Sequence, residues 1–187
     1  MKIGVVADTH VPDRINELDQ SLVSQLKDDG VELIIHAGDI CVNRTLEQLS
    51  EIAPVHAVRG NRDWLFVNKL SRILLLDINS KTLGVMHGHG GIFFYLWDKI
   101  LTYTVGYDFE RYYQKVKKTF KNADIIIFGH THRPVCIWRD GTLVLNPGSA
   151  SLKNVESKNR TYGLLQIDRN GKIYAEIKSL PDNFVKR

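Results

Sequence analysis

Seven residues able to ligate a cation or carry a proton stand just after apolar runs of this 187-residue chain. Asp8 and His10 follow Lys2–Ala7, Asp39 follows Gly38 after Val31–His36, and Asn61 follows Gly60 after Val55–Arg59. His87 closes a further run, and His130 and His132 come after Ile125–Phe128. Two carboxylates, an amide oxygen and four imidazoles make a mixed oxygen and nitrogen set without thiolates, which suits Mn²⁺, Fe²⁺ or Zn²⁺ better than Ca²⁺ or Mg²⁺. Seven donors exceed one tetrahedral site. They suffice for two cations if a carboxylate is shared, and two cations about 3.5–4 Å apart can hold a hydroxide between them and grip a phosphoryl oxygen.

Taken singly, each piece has an ordinary structural alternative. Asp-x-His recurs by chance, Gly-Asp is a common turn, and Gly-Asn suits a left-handed turn with no ligand role. His130-x-His132 could expose two rings from a strand, but Gly129 before it and Pro134 after it indicate a loop. What sets the group apart is joint occurrence, in order, at the ends of apolar runs.

The elements that must position these residues alternate in the first half. Lys2–Ala7, Val31–His36 and Val55–Arg59 read as strands, with helical patterns over Ile15–Lys27 and Asn43–Ile52 between them. Near-continuous apolar strands imply a parallel sheet covered on both faces. In such a sheet the carboxyl ends of the strands share an edge, where dispersed residues can meet. The second half reads as a hairpin, Arg72–Ile78 and Thr82–His87 joined by Asn79-Ser80-Lys81. Strands follow at Ile125–Phe128, Val135–Trp138, Leu143–Asn146, Tyr162–Asp168 and Ile173–Lys178, with turn signals at Asp140-Gly141 and Asn170-Gly171. Two sheets packed face to face fit this pattern.

One long helical stretch is expected between His89 and Asp124, with its aromatic-rich part at 90–122. Phe93–Tyr113 alone holds nine of the chain's 17 aromatic residues. Phe109, Tyr112, Tyr113, Val116 and Phe120 fall on one helical face, as a core helix requires; a dimer contact or a hood over a pocket would use the same face.

Length and a formal charge of +4, from 25 Lys and Arg against 21 Asp and Glu, fit one domain over 1–187. The mild basic excess is too small to argue for a nucleic-acid partner. No apolar run reaches the roughly 18 residues of a membrane span, and Asp8 interrupts the start before a signal sequence could form, so a cytoplasmic protein is expected. Cys41 and Cys136 are too few for a disulfide framework and read as small buried hydrophobes.

With VADTH at 6–10, HAGD at 36–39, RGN at 59–61, HGH at 87–89, GHTH at 129–132 and NPGS at 146–149, the chain resembles the calcineurin-like metallophosphoesterase superfamily. Within it, the chain is most similar to the small single-domain phosphodiesterases of bacteria and archaea, from Lys2 to about Lys178. The resemblance implies an α/β fold, a four-layer sandwich of two mixed β-sheets flanked by helices. It implies one metal on Asp8, His10 and His132, another on Asn61, His87 and His130, and Asp39 bridging. It further implies two divalent ions, Mn²⁺ foremost with Ni²⁺, Fe²⁺ or Zn²⁺ as alternatives, and attack on a phosphodiester by a metal-bridging hydroxide. Asn146 to Ser149 would shape backbone at the same edge. A small-molecule diester, of which a nucleotide is one form, and a homodimer are the expected partners, without a stable nucleic-acid complex.

Many members carry Gly-Asn-His-Asp, whose histidine assists the leaving group; here the tetrad is Gly60-Asn61-Arg62-Asp63. A guanidinium releases no proton near neutrality, so Arg62 is assigned to phosphate binding. His89 is the nearest spare imidazole, either as proton donor or as support for His87. His36 and His56 read as core or supporting residues. Trp64, Leu65 and part of Phe93–Trp97 could flank substrate, which would favour a leaving group with a flat face. The competing function is a binding scaffold, the role of the retromer subunit that shares this fold. A nuclease of the superfamily would want capping elements that so short a chain has little room for.

Overall fold

The computed structural model describes residues 1–63, 69–90, 92–154 and 158–181, so Trp64 and Leu65 lie outside the described residues, as do the side chains of 92–95. Two five-stranded mixed sheets face each other. The first has the order β10-β9-β1-β2-β3, built from β1 (Lys2–Val6), β2 (Leu33–His36), β3 (Val55–Ala57), β9 (Arg160–Ile167) and β10 (Ile173–Leu180). The second runs β4-β5-β6-β8-β7, from β4 (Ile73–Ile78), β5 (Lys81–Met86), β6 (Ile125–Phe128), β7 (Val135–Arg139) and β8 (Thr142–Asn146). Strands β1, β2 and β3 are mutually parallel, as are β5, β6 and β8.

Alternation along each strand divides the apolar residues between two layers. Ile3, Val5, Ile35, Val85, Ile127, Leu145 and Leu165 pack between the sheets. Val6 and Ile34 face outward against Leu22 and Leu26 of α1 (Gln20–Asp28) and Leu49 of α2 (Asn43–Ser50). On the far side Met86, Ile126, Phe128 and Val144 meet Tyr112, Tyr113 and Val116 of α4 (Phe109–Thr119), with Phe120 just beyond it. The four layers and both sheets agree with expectation.

Four local readings change. Helix α1 starts at Gln20 rather than Ile15 because the Asp19 carboxylate accepts from Ser21 N at 2.9 Å and also pairs with the buried Arg160 guanidinium. The hairpin turn is two residues, Asn79 (φ 48°) and Ser80 (φ 61°), and Lys81 already pairs with Ile78. The long helical stretch is broken into α3 (Ile92–Thr104) and α4: Gly106 at φ 94° reverses the chain, and Asp108 caps α4 by accepting from Glu110 N at 2.9 Å. His56 is exposed on β3 at the sheet's edge, not a core residue.

Candidate metal centre

The parallel strands deliver their carboxyl ends to one rim, and the loops that follow are stitched together there. Asp8 N donates to Gly38 O at 2.9 Å, His10 N to Asp39 O at 3.0 Å, and Gly129 N to His87 O at 3.1 Å. The loops are tight. A Cβ on Gly60 would stand 2.2 Å from Asp39 Oδ1, and one on Gly38, at φ 95°, 2.8 Å from His87 Nδ1. Glycine is required at both positions for the second and third loops to reach the site.

All seven expected donors converge. His10 Nε2 and His132 Nε2 are 3.1 Å apart, and Asp8 Oδ1 lies 3.7 Å from the first and 3.3 Å from the second. Asn61 Oδ1 is 3.1 Å from His87 Nε2 and 3.0 Å from His130 Nδ1. Asp39 stands between the groups, Oδ1 3.4 Å from His87 Nε2 and Oδ2 4.0 Å from His10 Nε2. His87 Nδ1–H donates to Ala37 O at 2.7 Å, which turns Nε2 toward the cluster.

Burial and charge make this an unusual place for carboxylates. Asp8 and Asp39 are buried, and Asp8 Oδ1, facing the nitrogens of His10, His87 and His132, accepts no hydrogen bond among the described residues. Two nitrogens each about 2.0–2.1 Å from one cation sit about 2.9–3.4 Å apart, the spacing His10 and His132 already have. The residues therefore fit divalent cations. Burial raises the Asp8 pKa, but the His132 and His87 imidazoles outweigh it and hold the carboxyl below its ordinary value; Asp39 is held low in the same way, mainly by His87. Burial alone would lower the His87 pKa, and the Asp39 charge reverses that, lifting it to about 9. Burial lowers His130 to about 3, leaving a neutral ring. Protons thus hold places that cations could take, with loss of those protons.

The backbone carries a further mark. Of the ten non-glycine residues at positive φ among those described, five are candidate donors: Asp8 (54°), His10 (49°), Asp39 (56°), His130 (70°) and His132 (53°). Left-handed backbone costs a non-glycine residue about 1 kcal/mol or more and gathers at functional sites.

The supporting residues divide into expected and missed. Asn146 Nδ2 donates to Gly129 O at 2.9 Å and Ser149 Oγ to Asp8 O at 2.8 Å, the backbone-shaping role expected of that turn. Ser151, which also donates to Asp8 O, and Asp63, which holds four backbone amides, were missed. His36 is buried, with Gly38 N donating to Nδ1 at 3.2 Å and Nε2 3.1 Å from Thr9 Oγ1. Cys41 is buried as expected but lies close to His10 and Asp13; burial lifts its thiol pKa to about 12, so it stays protonated.

A cleft of about 750 Å³ opens over the cluster, lined by His10, Asp39, Asn61, His130 and His132 on one side. Arg62 lines it too, its guanidinium paired with Asp13 and its amide donating to Asp39 Oδ1 at 2.8 Å. His89 is not among the described cleft-lining residues; its ring centroid lies 5.4 Å from that of His87 and 6.2 Å from that of His130. The described far wall comes from the end of α3 and the start of α4 rather than from Leu96 and Trp97, which are exposed.

A family model described as the calcineurin-like phosphoesterase superfamily domain matches residues 1–170. A probable metallophosphoesterase of Methanothermobacter thermautotrophicus is 34% identical over 152 residues, 81% of this chain and 78% of that protein. A phosphodiesterase of Methanocaldococcus jannaschii is 26% identical over 163 residues, 79% of this chain and 83% of the other. Among solved structures, Vps29 of Entamoeba histolytica in complex with Zn²⁺ superposes with a TM-score of 0.70 at 24% identity, over 96% of this chain and 99% of that one.

Proposed function

Because this chain belongs to the calcineurin-like phosphoesterase superfamily, we propose that it is a phosphodiesterase dependent on two divalent cations, acting on a small-molecule diester in the cytoplasm. Asp8, His10 and His132 would hold one cation, Asn61, His87 and His130 the other, and Asp39 both. Mn²⁺ is the first choice, with Ni²⁺, Fe²⁺ and Zn²⁺ behind it. The observation that carries this reading is the position of Asp39, which turns one oxygen toward His87 and the other toward His10. Bound there, the cations would supply Lewis acidity to a phosphoryl oxygen and lower the pKa of a water that serves as nucleophile.

The chain's own residues supply the rest. Arg62 meets phosphate oxygens from the cleft wall, and Asp13 limits the rotamers it must give up to do so. Arg62 has no proton to give, and His89 packs against His87 and His130 without lining the cleft, so His89 is assigned to steadying those two rings. Diesters whose leaving group departs unprotonated should therefore be the better substrates.

The test is a screen of protein loaded with Mn²⁺, Ni²⁺, Mg²⁺ or Zn²⁺ against aryl phosphomonoesters and phosphodiesters, then cyclic nucleotides. Diester hydrolysis that chelation abolishes is expected. Absence of turnover with every metal would overturn the reading and favour a binding scaffold. That second reading has an observation behind it: Leu96, Trp97 and Ile100 form an exposed apolar stripe on α3, of the kind that meets a partner or a second copy.

A further inference from the structure

We infer that the cleft seats a nucleobase carried on one ester arm of the substrate, and that Tyr103 is the platform on which the base stacks. The inference rests on the phosphodiesterase reading and names its substrate class.

A row of planar groups runs from the metal cluster along the cleft. The Tyr112 ring centroid is 6.2 Å from that of His130, Tyr107 stacks on Tyr112 at 5.6 Å and 22°, and the Arg133 guanidinium lies 4.1 Å above Tyr107. Tyr107 is thus covered by Tyr112 and Arg133. Tyr103 lines the same cleft from the last turn of α3, yet its residue surface is 94% exposed, so its ring stands open among the described residues. An aromatic face left open beside a phosphate-binding centre suits a flat ligand, because every nucleobase has a π-face to stack on it.

Among flat ligands, one that also carries a phosphate suits a cleft that opens over the candidate metal centre. Arg14, Arg62 and Arg133 line the cleft together with Asp39, and Asp13 stands 3.7 Å from Arg14 Nε and pairs with Arg62. A phosphate ester bearing an aromatic base can meet the candidate metal centre with its phosphate and the open Tyr103 ring with its base, and the volume of about 750 Å³ lies within the roughly 300–1,000 Å³ of small-molecule sites.

The test compares thymidine 5′-(p-nitrophenyl phosphate) with methyl p-nitrophenyl phosphate, which release the same p-nitrophenolate and differ only in the retained arm. The Mn²⁺-loaded protein should favour the nucleoside ester in kcat/KM by about ten-fold or more, in line with one stacked base. Tyr103→Ala should collapse that ratio through KM, and Tyr103→Phe should restore it. Calorimetry reads the same subsite without turnover: AMP should bind about ten-fold more tightly than ribose 5-phosphate, a margin lost in Tyr103→Ala. Equal kcat/KM for the two esters, equal binding of AMP and ribose 5-phosphate, or ratios unchanged by Tyr103→Ala would overturn the subsite. Failure to hydrolyse either ester would overturn the phosphodiesterase reading instead, with calorimetry still deciding on the base.

Discussion

The Asp63 carboxylate accepts a hydrogen bond from the backbone amide of Asp39 at 2.9 Å, and so holds the one residue placed between the two donor groups. Its remaining acceptor sites are filled by Gly60 N at 2.7 Å, Ile40 N at 2.8 Å and Cys41 N at 2.7 Å. Burial pushes its pKa up, while these amides hold the anion. Asp63→Asn leaves a single carbonyl oxygen for four donors and turns an NH₂ toward two of them. The variant should lose about 2–3 kcal/mol of stability, the cost of buried donors without acceptors. Urea unfolding of the metal-free protein measures this, and a change below about 0.5 kcal/mol would contradict the role given to Asp63.

Asp39→Asn should impair uptake of both cations, since each would lose the charge of a shared carboxylate. Asn61→Ala should weaken mainly the one assigned to His87 and His130. Elemental analysis of the purified variants after reconstitution and desalting counts the ions. Two full equivalents retained by Asp39→Asn would remove the bridge.

The strand ends and the order of the donors were legible because apolar runs mark parallel strands, and parallel strands carry their next residues to a common edge. The left-handed backbone at Asp8, His10, Asp39, His130 and His132 was not, since aspartate and histidine take positive φ more readily than most residues but still uncommonly, so residue type alone does not mark these positions. Gly106 followed by Asp108 is a stop and start signal that a helical reading of 89–124 passed over in favour of its apolar periodicity. Asp63 was visible only as the last letter of a tetrad. Its four partners come from segments up to 24 residues away, which only the folded chain brings near. Arg133 and Tyr103 belong to the cleft for the same reason.

His89→Ala separates proton donation from support. The ring packs beside His87 and His130 and does not line the cleft, so removing it should lower activity and metal affinity while leaving the dependence of rate on leaving-group pKa unchanged. A series of aryl diesters gives the slope. A steeper slope in the variant, with poor leaving groups suffering most, would return His89 to the role of general acid.

His36 sets a pH dependence of stability whose sign follows from its partners. Gly38 N–H donates to Nδ1, so the proton of the neutral ring sits on Nε2 and is given to Thr9 Oγ1; this one imidazole ties the Asp8–His10 loop to the Gly38–Asp39 loop. A second proton would have to enter at Nδ1 against an amide hydrogen in a fully buried place. Burial accordingly lowers the His36 pKa to about 3, against an ordinary value of 6.5. Between those values the unfolded chain binds a proton that the native protein refuses, so the stability from His36 is complete above pH 6.5 and drains away as the pH falls toward 3. Gln at this position cannot titrate. The stability difference between wild type and His36→Gln should therefore shrink by about 1 kcal/mol between pH 6.5 and 5.5. Urea unfolding in the presence of chelator removes any contribution from bound cations, and the other histidines are common to both proteins. Parallel stability profiles across that interval would show that the ring is protonated in the native state and that its bond to Gly38 is not the one described.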